Sequence, residues 1–154
     1  MNRTLEARFW QTLGLAVGVF GGLLLAYTSG RYGLASIDHR AIHYGMASGF
    51  IQLAGAAAFL AGRALHVEEV GLTSRESLLW NLLSAVCIIG GLAIVMFAWA
   101  QHRAMVLDRM ATGLGGAFAI MLGILCLVGQ RVMSHIQDAV VERSEQRVRE
   151  RLHL

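Results

Sequence analysis

Residues 10–30 read WQTLGLAVGVFGGLLLAYTSG, and this stretch decides the fold. It carries no charge until Arg31, and at 1.5 Å per residue it is long enough to cross the roughly 30 Å hydrocarbon core of a bilayer. Gly14, Gly18, Gly22, Ala26 and Gly30 recur at four-residue intervals. Positions four apart stand one above the other on a helix, so the spacing predicts a smooth stripe among Leu13, Leu15, Val17, Val19 and Phe20. A second helix can approach such a stripe backbone to backbone.

The rest of the chain repeats the theme. Three more long apolar runs follow, and the 154 residues are 56% hydrophobic and 15% charged. A soluble domain of this size has about 25% charged residues, so a water-soluble fold is not expected. Proline is absent, which favours continuous helices over the broken ones that transporters place at their midplane sites. The small net charge of +3 sits mainly at the C-terminal end, and no nucleic-acid partner is expected. All 13 basic side chains are arginine, placing phosphate- and carboxylate-matching guanidinium groups at every anchoring position. Cys87 and Cys126 lie inside apolar runs, where thiols are usually inert packing groups.

The expected fold is therefore an all-α membrane protein, a four-transmembrane-helix bundle over residues 1–130 with spans at about 10–30, 42–62, 78–100 and 110–129. Residues 1–9 form an amphipathic lead-in, and the first span is read as uncleaved because its apolar core is longer than that of a signal peptide. Asp38 can cap the second helix. Residues 63–77 (RALHVEEVGLTSRES) form the most polar internal connection, ending in Thr73 and Glu76 at capping-box spacing. Beyond residue 130 the pattern becomes charged but helix-favouring. A C-terminal helix over 131–154 is expected, continuing out of the membrane or lying at its surface, with Met133, Ile136, Val140 and Val148 along one side.

Small residues mark the expected helix-packing positions: Gly14, Gly18 and Gly22 in the first span, Gly45 and Gly49 in the second, Gly115 and Gly123 in the fourth. Spans one and two, with complementary smooth faces and a short connection, are the first expected pair. Orientation follows from arginine counts. With the N-terminus inside, nine arginines (Arg3, Arg8, Arg63, Arg75, Arg131, Arg143, Arg147, Arg149, Arg151) face the cytoplasm. Four (Arg31, Arg40, Arg103, Arg109) face out, which favours cytoplasmic termini.

One stretch is chemically dense. In residues 38–44 (DHRAIHY), His39 and His43 are one helical turn apart, and the topology puts His102 on the same outer side. Together they could hold a haem or a metal ion, with Met46 a conceivable axial ligand. The plainer reading is that these groups anchor helix ends at the headgroups, and no cofactor is expected. Gln52, Asn81 and Gln130 are amides that can bond across helices. The spans hold no ionisable residue between their interfacial ends, which disfavours an ion path. Glu68, Glu69 and Glu76 form an acidic patch. Arg143, Arg147 and Arg151 form a basic ridge that can meet that patch, anionic lipid or a partner subunit. No Ser/His/Asp arrangement with supporting motifs, phosphate loop, His-Glu-x-x-His or Cys-x-x-Cys occurs, so no enzymatic activity is expected.

Three segments carry a family likeness: Gly18-Val19-Phe20-Gly21-Gly22, His43-Tyr44 at the start of span two, and Leu114-Gly115-Gly116 opening span four. In these the chain resembles the YgdD-like family of small four-span membrane proteins. The family's histidine after the span-one glycines is Leu23 here, and its histidine a turn into span two is Ala47-Ser48. Its proline before the span-four glycines is Gly113, and the arginine-rich tail is additional. The resemblance implies a fold and no activity. The expected function is a small non-catalytic integral subunit or assembly factor of a bacterial inner-membrane complex. Its partners would be lipid and other integral subunits or further copies of the chain. The alternatives are a haem- or metal-binding redox subunit using the outer histidines, and a homo-oligomeric pore or carrier.

Overall fold

The computed structural model describes residues 3–32, 39–100 and 106–152. It contains four helices, α1 (Arg3–Tyr32), α2 (His39–Val70), α3 (Ser74–Ala100) and α4 (Val106–Leu152), and no strand among the described residues. All four are long and apolar enough to cross a membrane. Asp38 lies outside the described residues.

The helices run further than their apolar cores. The polar connection expected over 63–77 is largely helical, because nothing between Arg63 and Val70 breaks a helix. Gly71 ends α2: its φ of 81° suits a residue without a Cβ, and its N–H donates to the Val67 carbonyl at 2.9 Å. Two residues later α3 begins with the capping box read from the sequence. The Thr73 N–H donates to Glu76 Oε2 at 3.2 Å, and the Glu76 N–H donates to Thr73 Oγ1 at 3.3 Å. The turn between α2 and α3 is thus only residues 71–73.

Helix α4 has no break at residue 130. Its 47 residues extend about 70 Å, more than twice the thickness of a hydrocarbon core. The C-terminal segment therefore continues span four. Its apolar side is used for two turns only: Met133 is buried with Leu60 and Val67, Ile136 and Val140 are half-buried, and Val148 is exposed.

The helices stand in the spatial order α1, α2, α4, α3. Close backbone approach occurs for α1 with α2, α2 with α4, and α4 with α3, and for no other pair of described helices. Chain direction makes the outer two pairs antiparallel and the central α2–α4 pair parallel. The expected pairing of spans one and two is present, but the bundle is open on one side, with α1 and α3 apart.

The buried positions reveal the packing rule. They are Ala7, Gly14, Gly21 and Thr28 on α1, and Ser84, Gly91 and Ala98 on α3. On α2 they are Ser48, Gly55 and Gly62, the two glycines facing α1, with Leu60 and Val67 towards α4. On α4 they are Gly116 and Gly123 towards α3, with Cys126 and Met133. Every series steps by seven. Four residues advance about 400°, so a four-spaced stripe rotates some 40° per step around the helix; seven residues fall only about 20° short of two turns. A seven-residue series therefore keeps facing a slightly supercoiled neighbour, and a long four-residue stripe cannot.

The expected stripe is corrected accordingly. Gly14 faces the backbone of Phe59 and Gly55, Gly49 faces the Phe118 ring, and Gly123 meets Ser84 O and Ile88. Gly18, Gly22, Gly45 and Gly115 have open space where a Cβ would point. The close approaches also include Gly21, Gly55, Gly62, Gly91 and Gly116: a Cβ on Gly91 would stand 2.6 Å from Gly116 O. One on Gly55 would stand 2.5 Å from the backbone N of Gly18, which is thus part of the α1–α2 seam although its own Cβ direction is open.

The adjacent glycines of α3 test this rule. Gly91→Ala is expected to cost about 1–3 kcal/mol through overpacking against α4. Gly90→Ala, whose Cβ meets nothing within 4 Å, should be neutral or slightly stabilising. Reversible unfolding in mixed micelles distinguishes the two.

Candidate functional site

The open side of the helix row forms a groove. It is lined by Gly14, Gly18 and Gly22 of α1, Gln52, Gly55 and Phe59 of α2, Trp80 and Leu83 of α3, and Leu122 and Cys126 of α4, with a volume of about 510 Å³. On its α1 wall Gly14, Gly18 and Gly22 stand between the side chains of Leu15 and Val19. Phe59, whose ring lies 6.2 Å from that of Trp80, and Leu83 also line a neighbouring hollow towards the α2–α3 turn, which the Arg63–Glu76 ion pair borders.

That end is firmly built. Glu76 closes the capping box and pairs with Arg63, so the carboxylate joins α3 to α2. The Leu72 N–H donates to Gln137 Oε1 at 3.1 Å, fastening the turn to α4. Gln130 Nε2 donates to Ser77 Oγ at 3.0 Å. Sequence reasoning assigned Glu76 to an acidic patch facing the arginine tail; its described partner is Arg63. Gln137 gave no sequence signal, since only the tertiary contact brings it to the turn.

A second, smaller cavity lies on the other side of Gln52. Leu25 of α1, Gly45, Ser48, Gly49 and Gln52 of α2, and Gly115 and Phe118 of α4 enclose about 160 Å³. Phe118 stands edge-on to Phe50 at 5.2 Å and forms one wall. Ser48 is only 1% exposed, and its hydroxyl has no hydrogen-bond partner, alone among the buried side-chain polar atoms described. Leaving such a group unsatisfied costs about 1–3 kcal/mol. Ser84 is buried to the same degree but donates to Gly123 O at 2.7 Å across the α3–α4 seam.

The remaining expected site residues are dispersed. His43 is exposed near the start of α2, the His39 side chain is not among those described, and His102 lies outside the described residues. Among the described residues no group of three metal-ligating side chains occurs. Asn81 is exposed on α3. Arg143 and Arg147 are exposed along the free end of α4, and the Arg151 side chain is not among those described. Met133–Gln137 is where α4 passes the α2–α3 turn; Arg143 stands about 9 Å further along the axis.

No protein-family model, curated protein or solved structure matches the chain. The likeness to the YgdD-like family rests on the three short motifs alone.

The two buried serines differ in sign. Ser84→Ala removes an interhelical hydrogen bond and is expected to destabilise by about 0.6 kcal/mol. Ser48→Ala removes an unsatisfied hydroxyl and should be neutral or stabilising by up to about 1 kcal/mol. Unfolding free energies of the two variants, measured in the same micelle, check both.

Proposed function

We propose that the protein is a small non-catalytic integral subunit or assembly factor of a bacterial inner-membrane complex, receiving a transmembrane helix of a larger partner in the groove between α1 and α3. The observation that carries this reading is the pair Gly18 and Gly22. Both glycines line the groove, and a Cβ on either would meet nothing within 4 Å. The packing of this chain does not require them to be glycine. An approaching helix would, because in hydrocarbon helices associate through close van der Waals contact, which small residues permit.

The other walls agree. Ala56, Phe59 and Trp80 give the groove an apolar lining to a depth suited to side chains, and it opens outward along its length. The arginine count favours cytoplasmic termini, and there the exposed arginines of the α4 end would meet anionic headgroups or the partner's own cytoplasmic face.

Mild extraction at native expression, followed by mass spectrometry of the intact complex, tests the reading. A stoichiometric larger membrane protein is expected with the natural chain. Gly22→Leu should lose it while keeping helix content and unfolding free energy. A chain that runs alone or only as a homo-oligomer, or a partner retained by Gly22→Leu, would overturn the proposal.

A further inference from the structure

We propose that the cavity between α1, α2 and α4 is a binding site for a ring-sized, neutral molecule bearing one hydroxyl or carbonyl group, held by Ser48 and Gln52. Four observations meet there. The first is Ser48, a residue of the cavity lining that is 1% exposed and whose hydroxyl has no hydrogen-bond partner. Helical serines and threonines commonly bond back to a carbonyl one turn earlier. Thr12, Thr28, Ser134 and Ser144 all do so here, to Arg8, Leu24, Arg131 and Val141. Ser48 does not, and its hydroxyl is left available to something else.

The second is Gln52, one turn further along α2, which lines the same cavity and makes no hydrogen bond to any described residue. Its amide supplies both a donor and an acceptor beside the serine hydroxyl. Third, the space is created by glycines that the helix seams do not need. A Cβ on Gly45 or Gly115 would meet nothing within 4 Å, in contrast to Gly49, where it would strike the Phe118 ring at 2.8 Å.

Fourth, the lining sets the chemistry. Among the described residues no ionisable side chain lines the cavity, so a charged ligand would stay unpaired in an apolar site. Leu25, Leu53, Phe118 and Leu122 offer apolar contact to the remainder of the molecule. A volume of about 160 Å³ is close to that of an engineered protein cavity that takes up one benzene ring. Because the cavity is only partly closed, the ring can belong to a free solute or to the head of a longer lipid-soluble molecule.

The test uses the full chain in lipid nanodiscs with 4-fluorophenol as probe and fluorobenzene as its hydroxyl-free counterpart, both followed by ¹⁹F NMR. Saturable binding of 4-fluorophenol is expected, weakened about tenfold in Ser48→Ala, the worth of one hydrogen bond. Gly115→Leu and Gly45→Leu should each abolish it by filling the cavity, with circular dichroism confirming that either variant is folded. A phenol carrying a long alkyl tail separates the two sources. Binding tighter than its bilayer partitioning accounts for indicates a lipid-soluble ligand, and equal binding indicates a free solute. The proposal is overturned if both fluorinated probes only partition, without saturation, or if the leucine variants bind 4-fluorophenol like the natural chain.

Discussion

Close approach of helix backbones is the constraint on which the structure depends. In hydrocarbon there is no solvent to expel, so two helices gain from contact only what van der Waals packing and polar contacts supply. Both fall steeply with distance, and only small residues on the facing sides let the backbones come near. Gly14 against Gly55 and Phe59, Gly62 against Ala7 and Gln11, and Gly91 against Gly116 are among the places where this happens. Larger side chains at these sites would separate the helices and forfeit the contacts of the whole seam.

From that constraint the arrangement of helices follows. The central helices α2 and α4 each carry two buried series, one for each neighbour, whereas α1 and α3 carry one each. A helix with a single seam ends the row and turns its other face outward. On α3 that face holds Leu79, Leu82, Val86, Ile89, Met96 and Phe97, all exposed and suited to hydrocarbon. The α2–α4 contact is of a different kind, made by Leu60, Val67, Met133 and Phe118 rather than by glycine meeting glycine. Bulkier side chains hold these two helices further apart, and the groove and the small cavity occupy the space that results. Gln52 lines both, the one polar side chain shared between them.

Much of this was open to sequence reasoning, because it rests on local chemistry. Four apolar runs, the absence of proline and the Thr73–Glu76 spacing depend on neighbours along the chain, and the corresponding helices and capping box are present. The seam was misread, since small residues occur at both four- and seven-residue intervals and only the turn angle decides between them. Gly21 illustrates the difficulty: it sits beside Gly22 in sequence, yet Gly21 approaches Gln52 and Gly22 faces the groove. The extent of α2 was underestimated because its polar end looks like a loop by composition, although Gly71 is the first residue that stops it.

By itself the sequence determined the number of helices, their suitability for a membrane and the chemistry of the α2–α3 turn. These follow from hydropathy and backbone hydrogen bonding, which act over one or two turns. Only the tertiary structure decided that the row is open, that Gly18 and Gly22 face a groove, and that Ser48 is buried without a partner. Those properties depend on which of several equivalent small-residue faces meets which neighbour. That choice is made by the sum of contacts along entire helices, so no single stretch of sequence contains it.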